Sequence, residues 1–252
     1  MATRIALIAD IHGNRLALDA VLEELEREEI DRIVCLGDVA VGPQPTEAVE
    51  RVRALACSVV MGNWDAYFLR GFPDANDELS QRLTEIGAWW AEQLTPEQRE
   101  YMESFVPSVE LELEEDLQVQ VHHGSPRSYE DFVYATTDDD ELESMLDGKR
   151  APVMALGHTH FQMLRRFDDV LLVNPGSVGL PFARRARVMS MSPWAEYGIL
   201  SVENGRFSVD LRRTDFDVGA LVRLIVESGM PHADWWAGLW IGKPPSGLLS
   251  PF

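Results

Sequence analysis

Aspartate and histidine recur at a spacing of two in this chain, as Asp10-Ile11-His12 and as the matching pair His158-Thr159-His160. In extended chain, residues i and i+2 point to the same side, so each pair can send two ligands into one site. Gly37-Asp38, Gly62-Asn63 and His122-His123-Gly124 add a carboxylate, an amide and further imidazole. Five of the six histidines of the chain lie in these clusters. Carboxylate, imidazole and amide oxygen together suit Mn, Fe, Zn, Ni or Co rather than a soft thiolate site. The adjoining glycines allow a sharp turn or a close backbone approach. Each cluster by itself also has a plain structural reading. Asp10 can cap a helix, Gly37-Asp38 can be a loop, and Gly62-Asn63 can be a turn. What favours one shared site is their consistent placement, each just after a predicted strand.

Those strands are read from hydrophobic pattern. Ile5–Ala9, Ile33–Leu36 and Ser58–Met61 are short apolar runs, separated by helical patterns. Leu16, Leu18, Val21, Leu22 and Leu25 form one helical stripe, and a second helix runs from about Thr46 to Leu55. This βαβαβ order implies a parallel sheet, and ligands collect at the carboxyl ends of such strands. The middle is helical over Leu79 to Leu94, and Thr95-Pro96 opens a shorter helix. The period then changes to two, over Val109–Leu113 and Leu117–Val121, with Glu114–Asp116 as the turn. Asp138 to Leu146 reads as an acidic helix. Val153–Leu156, Gln162–Phe167, Val170–Val173, Tyr197–Val202 and Arg206–Leu211 read as strands, and Val218–Val226 as a helix. The expected fold is α/β, a two-sheet β-sandwich flanked by α-helices. Residues 1–230 are expected to form the main domain, and 231–252 a Trp-rich C-terminal extension with Trp235, Trp236 and Trp240.

Composition removes several classes. The formal net charge of −20 argues against a partner such as a nucleic-acid duplex or an anionic membrane surface. No apolar run approaches the roughly 18–20 residues of a membrane span, and the N-terminus lacks a signal-peptide pattern. A cytoplasmic location is expected. Cys35 and Cys57 form neither a disulfide framework nor a zinc ribbon. The tryptophan-rich tail is expected to cover an apolar patch on this chain or a second copy, which makes a homo-oligomer one expectation.

The ordered set Asp-x-His, Gly-Asp, Gly-Asn, His-Gly and Gly-His-Thr-His resembles the calcineurin-like metallophosphoesterase superfamily. It is most similar to its compact bacterial and archaeal phosphodiesterase branch. Asn174-Pro175-Gly176-Ser177-Val178 is similar to a stretch that follows the last ligands there. The resemblance spans about residues 4–215 and implies a four-layer αββα arrangement. It also implies two divalent metals. Asp10, His12, Asp38 and His160 would hold the first; Asp38, Asn63, His123 and His158 would hold the second, with Asp38 bridging. A metal-bridging hydroxide would then attack phosphorus in line. The implied substrate is a small phosphoester, with a phosphodiester preferred over a monoester, or a nucleotide or dinucleotide phosphate.

One departure stands out. Many members of the superfamily follow Gly-Asn with a histidine that assists the leaving oxygen, whereas this chain has Gly62-Asn63-Trp64-Asp65. An indole donates one hydrogen bond but cannot deliver a proton. Trp64 then either stacks on an aromatic group of the substrate or packs. Asp65 either supports the ligands or caps a helix at Ala66–Arg70. Asn14 is a candidate phosphate contact that could instead cap the first helix. Arg127 is a candidate phosphate clamp, by its bidentate geometry. Arg184, Arg185 and Arg187 read as a basic rim or a solvated loop. His122 should face away from the site by strand alternation. Two rival readings remain, a protein-binding scaffold of the same fold, such as a retromer subunit, and a phosphoprotein phosphatase. A degenerate scaffold should have lost ligands, and here the full set is present.

Overall fold

The computed structural model describes residues 2–114, 117–185 and 188–241. The first half alternates β1 (Thr3–Ile8), α1 (Arg15–Leu25), β2 (Arg32–Cys35), α2 (Pro45–Ala54) and β3 (Ser58–Val59). Three helices follow, α3 (Asn63–Arg70), α4 (Glu78–Ala91) and α5 (Pro96–Glu103). Next come β4 (Val109–Glu114), β5 (Leu117–Val121), α6 (Asp139–Leu146), β6 (Val153–Ala155), β7 (Met163–Phe167) and β8 (Val170–Asn174). The chain closes with β9 (Phe182–Arg185), β10 (Val188–Met191), β11 (Trp194–Glu203), β12 (Arg206–Asp215), α7 (Val218–Glu227) and α8 (Ala233–Gly238).

Two mixed five-stranded sheets result, ordered β12-β11-β1-β2-β3 and β4-β5-β6-β8-β7. β1, β2 and β3 run parallel, as do β5, β6 and β8, while the outer strands pair antiparallel. Three cores define the layers. Ile5, Leu7, Val34 and Leu36 meet Val119, Val121, Val153 and Val173 between the sheets. The outer face of the first sheet packs Ala6, Ile8 and Cys35 against Leu18, Val21 and Val49 of α1 and α2. The outer face of the second packs Met154 and Leu172 against Leu142, Met145 and Leu146 of α6. This is the expected layered α/β sandwich, and the alternation of side chains along each strand is what lets one strand serve two cores.

Several boundaries differ from the sequence reading for physical reasons. β3 stops at Val59, because Val60 bridges Val106 and the Met61 amide donates to the Val106 carbonyl. β11 and β12 extend beyond the apolar runs that announced them, because each continues to find partners across the hairpin. Their turn is Asn204-Gly205, with φ of 52° and 69°, which favours these residue types. The segment read as an arginine-rich loop forms the β9–β10 hairpin, with Val188 opposite Arg185, whereas Arg187 lies outside the described residues. Residues 115 and 116 of the predicted β4–β5 turn also lie outside them.

The tryptophan-rich segment packs onto the first sheet's helical layer. Trp236 meets Trp90 edge to face at 5.1 Å, and Trp240 meets Phe216 at 5.7 Å. The Met191 amide donates to the Leu239 carbonyl and ties the segment to β10. None of the described helices is long and apolar enough to cross a membrane. Trp236 is only 5% exposed. Trp236→Ala should therefore lower the unfolding free energy by about 3–5 kcal/mol, read from denaturant midpoints. A loss below about 1 kcal/mol would show that α8 adds no core packing.

Candidate active site

The carboxyl ends of β1, β2, β3, β5 and β6 meet at one edge of the sandwich, and each carries one of the clusters. Backbone hydrogen bonds lock these loops together. The Asp10 amide donates to the Gly37 carbonyl at 3.0 Å, the His12 amide to the Asp38 carbonyl at 2.9 Å, and the Gly157 amide to the His123 carbonyl at 2.6 Å. The His158 amide donates to Asp10 Oδ2 at 3.0 Å, joining the two sheets across the site.

Asp10, His12, Asp38, His158 and His160 all take left-handed backbone conformations, with φ of 53°, 48°, 54°, 65° and 60°. Such conformations cost roughly 1–3 kcal/mol each in a non-glycine residue, and they persist where the surroundings over-determine them. The other non-glycine residues with positive φ among those described stand at turns or helix ends, such as Ala56, Asp147, Asp168 and Asn204. At the site, this backbone turns each side chain inward at a strand end. Gly62 is required for a different reason: a Cβ there would overlap Asp38 Oδ1.

The side chains converge as two groups, Asp10 with His12 and His160, and Asp38 with His123 and His158. Within each group the ligand atoms lie within 4.8 Å of one another. Asp38 Oδ2 lies between the groups, 3.7 Å from His12 Nε2 and 3.6 Å from His123 Nε2. Asn63 Oδ1 joins the second group, 3.2 Å from His123 Nε2. His123 Nδ1 donates to the Leu36 carbonyl at 2.6 Å, and His160 Nδ1 to the Leu180 carbonyl at 2.8 Å. A carbonyl can only accept, so Nδ1 carries a proton, and in the metal-binding form of each ring Nε2 turns a lone pair inward.

These donors fit divalent cations. The Nε2 atoms of His12 and His160 face one another at 3.0 Å, and His123 Nε2 faces the oxygen of Asn63. With its proton on Nδ1, His123 meets the Asn63 oxygen acceptor to acceptor, which is repulsive unless a cation lies between them. Asp10 Oδ1, Asp38 Oδ2 and His158 Nε2 are buried without a hydrogen-bond partner among the described residues. Buried polar atoms are ordinarily satisfied, so three unpartnered ones within the two ligand groups mark a ligand site. Burial lowers the His158 pKa to about 3, helped by the His123 charge. Burial, with His160 beside it, also holds His12 well below its ordinary range. Both are therefore neutral near pH 7, the form that binds metal. Burial and then the Asp65 and Asp10 charges push the Asp38 carboxyl well up. Burial also pushes Asp10 up, but the surrounding imidazoles, His160 foremost, outweigh it and hold that carboxyl below the usual range.

The remaining predicted residues divide. Asp65 accepts from the amides of Asp38 at 2.7 Å, Val39 at 2.9 Å and Gly62 at 3.2 Å, so it holds the Asp38 loop in place. Trp64 contributes its backbone amide, which donates to Asp38 Oδ1 at 2.9 Å. Its ring packs edge to face on Phe72 and against Gly87, so the packing alternative describes the indole. Asn14 is not free for phosphate: its Oδ1 caps α1 through the Ala17 amide, and its Nδ2 donates to the Gly179 carbonyl. Arg127 is turned to Asp131, with Nε and Nη2 donating to the two carboxylate oxygens at 2.9 and 2.7 Å, and to Ser144 at 2.8 Å. Asp131 lies four residues on and matches the guanidinium fork, so the fork of Arg127 is already engaged. His122 follows β5 and belongs to neither ligand group, and its amide donates to the Ala155 carbonyl.

Sequence reasoning missed two kinds of residue. Asn174 donates to the Gly157 carbonyl at 2.8 Å and to Thr159 Oγ1 at 3.0 Å, while Ser177 donates to the Asp10 carbonyl at 2.7 Å. The 174–178 stretch thus fastens the Asp10 loop to the His158–His160 loop. Tyr67 was also unread. It sits one turn after Asn63 on α3, and its hydroxyl donates to Glu130 Oε1 at 2.6 Å. Burial and the Glu130 carboxylate hold its phenol above the ordinary range. The spacing of four from Asn63 was the available signal.

The chain matches the family model described as the calcineurin-like phosphoesterase superfamily domain over residues 3–196. The protein belongs to the calcineurin-like phosphoesterase superfamily. That superfamily consists of hydrolytic phosphoesterases that use divalent metals, in keeping with the two ligand groups described above. This superfamily member is 28% identical over 261 residues to an uncharacterised protein of Methanocaldococcus jannaschii, covering 95% of this chain and 98% of the relative. It is similar to the crystal structure of a metallophosphoesterase from Sphaerobacter thermophilus, with a TM-score of 0.70, 27% identity, and 92% and 96% of the two chains covered. It shares its fold with a hypothetical protein of Pyrococcus horikoshii OT3, with a TM-score of 0.76, 22% identity, and 91% and 94% covered.

Asp38→Asn keeps the shape but removes the charge between the two groups. After metal loading, the variant should retain much less than the wild type's bound transition metal, by elemental analysis of dialysed protein. Unchanged metal content would show that Asp38 does not serve both groups.

Proposed function

We propose that this phosphoesterase hydrolyses small phosphodiesters at a two-metal site formed by Asp10, His12, Asp38, Asn63, His123, His158 and His160. The position of Asp38 between two histidine groups carries this reading, because a carboxylate so placed can serve two cations at once. Divalent cations bound there polarise phosphate oxygens and acidify water. The chain's own residues do the rest. His123 and His160 are held by main-chain carbonyls with their lone pairs inward. Asp65 fixes the Asp38 loop through three amides, so the ligands need not reorganise as charge builds on the phosphoryl oxygens.

Two features support a diester over a monoester. A monoester carries about −1.5 to −2 charge near neutral pH, and a diester about −1. The candidate clamp Arg127 is neutralised by Asp131, and the chain as a whole is strongly acidic. The second feature is proton supply. Position 64 offers no imidazole, and its indole packs on Phe72, so the leaving oxygen departs without a side-chain acid from that position. General acid catalysis is typically worth about 10²–10⁴-fold, and acidic leaving groups need it least.

The test is a phosphoester panel on metal-stripped protein reloaded with Mn, Zn, Ni, Co or Mg. Bis(p-nitrophenyl) phosphate should turn over faster than p-nitrophenyl phosphate, and kcat/KM should fall steeply as leaving-group pKa rises. Trp64→His should leave that slope unchanged, because the side chain at 64 points into the α3–α4 packing. No turnover with any metal would sink the enzyme reading. A faster monoesterase would sink the diester preference, and a flatter slope in Trp64→His would show that residue 64 reaches the leaving group.

A further inference from the structure

A row of aromatic rings runs along the site from one ligand group to the other. Phe132 lies over His158, with ring centroids 4.1 Å apart. Tyr134 is parallel to Phe132, at 6.0 Å and 5° between planes. Tyr134 meets Phe161 at 6.5 Å, and Phe161 meets Phe182 at 6.1 Å. Phe182 then stacks on His160 at 4.4 Å and 19°. Three separate segments supply these rings: the loop between β5 and α6, the residue after His160, and the start of β9.

Core packing accounts for Phe182, which lies against the first sheet's helical-layer core, but not for the outer end of the row. Phe132 is 47% exposed, whereas the core ring of Trp90 is 1% exposed. Single exposed apolar residues are common, but a connected row that ends on a buried histidine at both sides is not scattered exposure. His158, under Phe132, is 9% exposed, more than Asp10, Asp38 or His123. Phe132, half-exposed, thus borders the most exposed of the ligand residues. The cleft beside Phe132 and Tyr134 is also lined by Glu130, Asp131, Asp138 and Glu141. Those carboxylates repel a second phosphate but not a neutral flat ring.

We propose that this aromatic row is a binding shelf for a planar aromatic group, a nucleobase or an aryl ring, attached to the single phosphate that the ligand groups hold. The inference rests on the phosphodiester reading and narrows its substrate class. Every nucleobase offers a π-face, and stacking on aromatic side chains tolerates base identity. A flat group on Phe132 would lie next to His158 with its phosphate directed at the ligand groups.

The test is equilibrium binding by calorimetry to the metal-loaded protein. Adenosine monophosphate is compared with ribose 5-phosphate, and phenyl phosphate with methyl phosphate, so that each pair differs only in the ring. Wild type should bind the ring-bearing member about tenfold more tightly. Discrimination confined to the first pair assigns the shelf to nucleobases; discrimination in both assigns it to aromatic rings in general. Phe132→Ala should abolish the difference with bound metal unchanged, and Phe132→Trp should keep it. Equal affinities in wild type would overturn the shelf, as would discrimination that survives in Phe132→Ala. Loss of metal in Phe132→Ala would assign Phe132 to holding His158 and also overturn it. Turnover of bis(p-nitrophenyl) phosphate, measured in parallel, separates the two ideas. Its absence counts against the phosphodiester reading, whereas the binding comparison judges the shelf.

Discussion

Asp38 is 1% exposed, has a second carboxylate, Asp65, close behind it, and faces histidine lone pairs on two sides. Burying such a group without compensation is costly, and a buried carboxyl normally pairs with a cation or takes a proton. Much of the surrounding architecture can be read as a means of holding it there. The Asp38 carbonyl accepts from His12, its amide donates to Asp65, and its Oδ1 accepts from the first turn of α3. The bonds come from two segments, the loop after β1 and the first turn of α3, so Asp38 cannot relax without disturbing both. An absent side chain at Gly62 leaves the space in which its carboxylate lies.

The three hydrophobic cores hold this frame rigid. The inter-sheet core places β1 and β2 against β5, β6 and β8, so that strand ends from both sheets open onto one edge. Left-handed backbone at five ligand positions is unfavourable by itself, and each core contributes burial against which that strain is sustained. The 174–178 stretch completes the frame from the second sheet, since Ser177 bonds the Asp10 backbone while Asn174 bonds the His158–His160 loop. The site thus has an outer layer of main-chain bonds, and its side chains are left free to face one another.

Position 64 shows how one residue divides its backbone and its side chain between two tasks. The backbone amide of that residue bonds Asp38, a role that any residue but proline fulfils. Its side chain instead joins Phe72 and Tyr67 in the packing of α3 against α4. Tyr67, one turn along, reaches Glu130 and ties α3 to the loop that carries Phe132. The rim of the site is therefore built from helix and loop side chains whose partners lie far apart in sequence.

Strand order and ligand order were legible in the sequence because both are local signals. Short apolar runs announce buried strands and place the Asp-x-His and His-x-His clusters at their ends, but the left-handed backbone of these residues, not the extended-chain alternation expected from the spacing, aims their side chains, and it sends His158 and His160 into different groups. The Trp-rich segment was legible only as apolar surface needing cover, and the structure supplied Trp90 and Phe216 as its partners. The cap that Asn14 places on α1 was legible as one of its two readings, but its bond to Gly179 and the fate of Arg127 were not. Each had a polar tip suited to phosphate, and only the fold brought Gly179 and Ser144 within reach of those tips. Ligand identity is a matter of residue type and spacing, which the sequence carries by itself. Which side chain faces the substrate depends on what else competes for its hydrogen bonds and its packing, and beside local competitors such as Asp131 stand distant ones, Gly179 and Ser144, that only the folded chain brings together.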